Sequence, residues 1–166
     1  MRRLLPLVVL ALALPIRAAG DAVLHPVSQE EWSQVLASHE GDLVVVDFWA
    51  TWCLPCLERF PKMVELSERY ADRGVTFIAF SLDDRDDPGA MAMAGSFARK
   101  QGGRIEHYVT TEPIPDAFDQ LDLLGIPAVK IYARDGTLAT ALDADDPNHQ
   151  FTDEDVEEAI EELLGG

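Results

Sequence analysis

The chain has 166 residues, 13 basic against 30 acidic side chains for a net charge of −17, and two cysteines. That length suits one domain with a good-sized core. So large a negative charge argues against nucleic acid and against an anionic lipid surface as partners.

Residues 1–20 read as a secretory signal peptide: Arg2-Arg3 gives a positive start, Leu4 to Ile16 an apolar stretch, and Ala18-Ala19-Gly20 a small-residue exit. The apolar stretch falls short of the roughly 20 residues that a spanning helix needs. Cleavage is expected after Ala19 or Gly20, leaving 21–166 as the mature domain, with a retained N-terminal anchor as the alternative. No cysteine is present in this segment to carry a lipid, and Arg2-Arg3 alone does not establish twin-arginine export. Loss of Arg2, Arg3 and Arg17 with the leader takes the net charge to about −20. The expected location is periplasmic or otherwise extracytoplasmic, where disulfides persist, with no stable membrane insertion after cleavage.

Ser28-Gln29-Glu30-Glu31 is a capping box and opens a helix through about Ser38, with Trp32, Val35 and Leu36 on its core face. Gly41-Asp42 turns into residues 43–48, an apolar, β-branched run without alternation that reads as a strand covered on both faces. The helix after Cys53 extends to about Arg73, and Pro61 is expected to kink it one turn past Cys56. Gly74 ends it, and residues 75–82 form a second buried strand, so a β-α-β crossover with parallel strands is predicted.

The acidic run Asp83 to Asp87 lacks the glycine and glutamate placement of a calcium loop. It reads instead as the acidic start of a helix over 88–101, with Met91, Ala94, Phe97 and Ala98 inward. Gly102-Gly103 stops that helix before a short strand, 104–109, on which His107 is expected to be half-exposed rather than a ligand. A short helix over 115–123 follows, and Pro127 opens a strand over 128–133, the one place inside a sheet where proline is tolerated. Arg134-Asp135-Gly136 turns into residues 137–142, so the sheet should end in an antiparallel pair. An acidic loop over 143–150 leads to a last helix, 153–164, capped by Thr152 and facing the sheet through Val156, Ile160, Leu163 and Leu164.

Cys53 and Cys56 form a C-x-x-C pair at the junction of the first central strand and the long helix. Cys53 would stand at the helix N-terminus, where unpaired N–H groups and the helix dipole favour an anion and so lower the pKa of a thiol. Pro55 falls in the first turn, where its missing N–H costs little. Cys56 lies on the same helical face, near enough to close a small disulfide ring. Cys53 is therefore assigned as the attacking thiol and Cys56 as the buried resolving thiol. Zinc would need a second C-x-x-C or paired histidines, and His25, His39, His107 and His149 are single and scattered, so neither a metal nor another cofactor is expected. A ring this small removes little chain entropy, which makes a purely structural disulfide the weaker reading. With no third cysteine, the switch has no wrong pairing open to it.

Several features coincide here: Phe48-Trp49-Ala50-Thr51-Trp52-Cys53-x-Pro55-Cys56, Pro61 five residues on, and Gly125-Ile126-Pro127 before a strand and an Asp-Gly turn. Over about residues 40–142 the chain resembles the thioredoxin superfamily, and within it the exported thiol-disulfide oxidoreductases of the TlpA/ResA/CcmG type. The resemblance implies an α/β thioredoxin-like fold, a central mixed β-sheet flanked by helices, with the helix and strand between 88 and 109 as an extra insertion. It implies that Pro127 is a cis-proline facing the cysteines, that the backbone of Ile126 pairs with an extended substrate segment, and that Trp52 and Pro55 belong to the same substrate-binding surface. Asp47, six residues before Cys53, matches the buried acid that handles the proton of the resolving cysteine. Trp49 is expected to pack.

Three departures stand out. Leu54-Pro55 replaces the commoner Gly-Pro between the cysteines, so a redox potential cannot be carried over. Arg59 stands where the reductases of this branch often have a glutamate, the acid here being one earlier at Glu58. The lysine that neighbours the buried acid in thioredoxin aligns with Ala79, so Asp47 should lack that partner.

The activity implied is that of an exported protein-disulfide reductase, re-reduced by a membrane thiol electron donor. Its disulfide-containing protein substrates would be of the kinds this family serves, namely apocytochrome c, copper-site cysteines and misoxidised proteins. Two other readings remain open: a disulfide oxidase or isomerase on the same fold, separated only by potential, and a copper-binding or copper-delivery module. The latter would need a His or Met ligand near the pair, whereas Met91 and Met93 sit on another element. A C-x-x-C at a helix start does not fit a peroxidase with a distant resolving cysteine.

Overall fold

A computed structural model describes residues 24–143 and 150–165; the expected signal peptide and most of the expected acidic loop lie outside them. A short strand β1 (His25–Val27) leads into α1 (Gln29–Ser38), followed by β2 (Leu43–Trp49), α2 (Leu54–Tyr70) and β3 (Val75–Ser81). Then come α3 (Pro88–Gln101), β4 (Ile105–Thr110), α4 (Ile114–Gln120), β5 (Ala128–Tyr132), β6 (Leu138–Asp143) and α5 (Asp153–Gly165). The strands form one mixed sheet in the order β1-β4-β3-β2-β5-β6. β2 and β3 are parallel, as the crossover requires, and β5 runs antiparallel to both β2 and β6. The expected fold class holds, and the inserted α3–β4 unit adds β4 alongside β3.

β2 lies at the centre, and all of its residues are buried. Its alternation divides the core. Leu43 and Val45 pack with Met63, Leu66 and Tyr70 of α2 and with Val156 and Ile160 of α5. Val44, Val46 and Phe48 belong to the other cluster, where Trp32 of α1 meets Phe80 edge-on at 4.9 Å. Asp47 shares the parity of Leu43 and Val45, which puts a carboxylate on the face covered by α2 and α5. The capping box at the start of α1 is formed: Glu31 N–H donates to Ser28 Oγ at 3.3 Å, and Ser28 N–H donates to Glu31 Oε2 at 2.9 Å.

The structure adds one element and corrects one expectation. Nothing in the sequence pattern announced β1, whose three residues contain Pro26. It pairs parallel with β4, from His25↔Tyr108 to Val27↔Thr110. That pairing makes β4 an interior strand, so His107 is buried rather than half-exposed, with Phe60 stacked against its ring at 6.1 Å. α2 runs as one helix from Leu54 to Tyr70, with Pro61 inside it.

Candidate active site

The apolar run of β2 ends at Trp49, which packs against Phe60 of α2 and Phe97 of α3 at 5.5 and 5.0 Å between ring centroids. The chain then turns through residues 50–52 into α2, with Cys53 as the N-cap in extended conformation and Pro55 in the first turn. Cys53 and Cys56 are joined by a disulfide, their Cα atoms 5.3 Å apart. The Cys56 N–H donates to Cys53 Sγ at 3.4 Å, and the Leu57 N–H donates to the Cys53 carbonyl at 3.2 Å. A thiolate at Cys53 would inherit the first of these donors, which favours the anion. Both sulfur-bearing residues are buried, Cys53 with 5% exposure and Cys56 with 1%. Cys56 Sγ lies 3.9 Å from the Phe48 carbonyl oxygen, an acceptor for its proton in the dithiol form.

Asp47, on the β2 face that α2 covers, is 2% exposed, with Oδ2 lacking a hydrogen-bond partner among the described residues. Its neighbours across the sheet are Ala79 on β3 and Val129 on β5, and beyond Ala79 the same row reaches His107. The register thus sets Ala79 directly opposite the acid, where no cation can be supplied. Burial pushes the Asp47 carboxyl up to about 7, with Arg59 pulling it down and Asp153 raising it further. Burial likewise lowers the His107 imidazole to about 4, with His25 adding to the effect.

The Ile126–Pro127 peptide is cis. β5 pairs with β2 through Phe48↔Ala128, so Pro127 stands one residue beyond that pair, at the end of the sheet from which the turn to Cys53 departs. Trp52 and Leu54 flank Cys53 in the chain and are exposed, as is Leu124, two residues before Ile126. An open, largely apolar groove of about 400 Å³ runs beside the turn, between Thr51 and Leu57 on one side and Met93, Phe97 and Lys100 on the other.

Three residues at the site have parts that only the fold shows. Asp83, fully buried at the end of β3, accepts from the Thr51 N–H at 3.1 Å, from Thr51 Oγ1 at 2.5 Å and from Ser81 Oγ at 2.8 Å. It ties the turn before Cys53 to the neighbouring strand, whereas the acidic run had been read only as a helix start. Lys130, buried on β5, donates to the carbonyls of Leu121 and Asp122 at 2.8 and 2.9 Å and so fastens the segment leading to Pro127. Arg59 reaches from α2 to α5, its Nε donating to Asp153 Oδ1 at 3.0 Å and its guanidinium lying 4.3 Å over the Phe151 ring. A charged residue within an apolar strand, as at Lys130, was the one legible signal of the three. No group of three or more metal-ligating side chains occurs among the described residues.

This geometry has counterparts among known proteins. The family description that matches is thioredoxin, over residues 23–95. Thioredoxin-1 of Schizosaccharomyces pombe is 41% identical over 78 residues, which span 45% of this chain and 74% of that protein. The chain belongs to the thioredoxin family. Within the family it is similar to the thiol-disulfide oxidoreductase ResA of Oceanobacillus iheyensis, 37% identical over 100 residues, 59% of this chain. The match spans 46% of that ResA, less than half its length. Among solved structures, a thiol:disulfide interchange protein of the DsbE kind from Chlorobium tepidum superposes with a TM-score of 0.60 at 26% identity, covering 78% of this chain and 84% of its own. A secreted Mycobacterium tuberculosis disulfide oxidoreductase shares the fold with a TM-score of 0.56 at 24% identity, covering 76% of this chain and 86% of its own.

Proposed function

We propose that this chain is an exported thiol-disulfide oxidoreductase that reduces disulfides in protein substrates. The observation that carries the reading is the Cys53–Cys56 pair at the N-terminus of α2, supported by a buried, protonatable carboxyl, Asp47, on the strand face that α2 covers. In the dithiol form, the Cys53 thiolate attacks one sulfur of a substrate disulfide. A mixed disulfide forms and the first substrate sulfur leaves as a thiolate. Cys56 gives its proton to Asp47, and its thiolate attacks Cys53 Sγ. That step closes the Cys53–Cys56 disulfide and releases the second substrate sulfur as a thiolate; two electrons have passed to the substrate, whose thiolates take up protons. A membrane thiol donor would restore the dithiol.

Ile126 and Pro127, at the same end of the sheet as the disulfide, are the backbone against which an extended substrate segment would lie, with Trp52 and Pro55 on its flank. The exposed apolar groove beside Thr51 supports a polypeptide substrate over a small thiol. Residues 1–20 would direct export, as their charge and apolar pattern indicate. The test is a Cys56→Ser variant, which should accumulate mixed disulfides through Cys53 when incubated with envelope proteins. Titration of the wild-type couple against glutathione fixes the direction. A variant that traps nothing defeats the reading, and a potential near that of strong oxidants converts the reductase into an oxidase.

A further inference from the structure

The mechanism above leaves one buried cation without a task. Arg59 follows Cys56 by three residues and so lies on the same face of α2, the face that α2 and α5 turn toward Asp47. Its side chain is 14% exposed, and only Nε has a hydrogen-bonding partner: Nη1 and Nη2 are buried and unpaired among the described residues. An arginine with two idle nitrogens is costly, since each desolvated donor lacks its compensation. Asp47 Oδ2 is unpaired in the same way. The groups around Asp47 can be enumerated by element. β3 and β5 present Ala79 and Val129. β4 contributes His107, one strand further and held neutral by burial. α2 contributes Cys56 and Arg59, and α5 contributes Asp153.

We propose that Arg59 is the positioning cation of this site: clamped by Phe151 and Asp153 of the C-terminal segment, its guanidinium supplies the positive field that keeps a share of Asp47 ionised and therefore able to take the proton of Cys56. The position opposite Asp47 on the sheet is occupied by alanine, so the charge comes from the helix instead. Asp153 has a double part, since it holds Nε and also adds a negative charge on the same side of the acid. The downward pull of Arg59 on Asp47 and the upward push of Asp153 follow from that arrangement. This inference rests on the reading of Asp47 as the proton acceptor, but it is tested apart from turnover.

The experiment follows the Asp47 carboxyl by carbon NMR across pH in the oxidised full-length protein, with Asp47→Asn to assign the signal. Arg59→Met should raise the midpoint and reduce the ratio of ionised to protonated Asp47 at pH 7 by roughly tenfold. Arg59→Lys should restore most of it. Asp153→Asn should move the midpoint the other way; the rise in Arg59→Met is the shift that a general loosening of the fold would not produce, since hydrating the carboxyl lowers its pKa. An Arg59→Met midpoint at or below that of the wild type overturns the proposal, as does an upward shift in Asp153→Asn; the latter decides alone should Arg59→Met not fold. Because no substrate is present, failure here removes Arg59 from the site and leaves the dithiol chemistry to be judged by mixed-disulfide trapping.

Discussion

Replacing Asp47 by Asn should make the oxidised protein more stable, by an amount that grows with pH. The carboxyl is pushed from its ordinary 3.8 to about 7 by burial, with Arg59 and Asp153 acting in opposite senses. The folded chain therefore holds a proton that the unfolded chain has released, and between pH 3.8 and about 7 this group loses stability as pH rises. Each pH unit in that window is worth about 1.4 kcal/mol, so ionising Asp47 costs the fold about 4 kcal/mol in full. With 2% exposure, solvent screens little of it. His107 has the opposite slope: its imidazole is lowered from 6.5 to about 4, so its contribution is lost as pH falls through that interval, about 3 kcal/mol in all. The two slopes largely cancel in the wild type, and the measurement that isolates Asp47 is a difference. Urea unfolding of wild type and Asp47→Asn at half-unit steps from pH 4 to 8 should give a gap near zero at the acid end, widening to about 4 kcal/mol by pH 8. A gap that stays constant with pH would refute the buried, proton-holding Asp47 on which the site is built.

Other outcomes follow from neighbouring contacts. Asp83→Asn keeps one acceptor for three donors and should destabilise the fold by about 2–3 kcal/mol, with a double-mutant cycle against Thr51→Ala returning a coupling of about 1 kcal/mol; additivity in the cycle would detach the 50–52 turn from β3. In the dithiol form, iodoacetamide should modify Cys53 well before Cys56, with a pH midpoint below that of a free cysteine. Mass spectrometry of the two peptides checks it, and faster labelling of Cys56 would reverse the assignment. Lys130→Met leaves the Leu121 and Asp122 carbonyls without their donor and should lower stability by about 2 kcal/mol in denaturant titration.

Much of the architecture was visible in periodicity and punctuation. The capping box at Ser28, the unbroken apolar run of β2, the glycines after α2 and α3, and the Asp-Gly turn each have a local cause, and each element formed close to its expected place. β1 was not visible because three residues with a central proline carry no pattern; only β4 beside it gives them a reason to extend. The cysteine pair was legible since its chemistry is encoded in spacing. The parts played by Arg59 and Asp83 were not, because each acts on a residue distant in the chain, Asp153 from α5 and Thr51 from the turn; Lys130 signalled itself only as a charge within an apolar strand. A charged side chain read along the sequence looks solvated until the fold shows what it is buried against.

The two margins of the sheet differ in what they offer to another polypeptide. β1 is three residues long, and Pro26 at its centre has no N–H to donate, which makes it a poor template for a further strand. β6 is six residues long, half of them exposed, with a register irregularity at Ile131/Tyr132 in its pairing to β5. Of the two margins, β6 is thus the better template for another strand, and a charged substitution on its outer rim is the economical place to suppress sheet-to-sheet pairing.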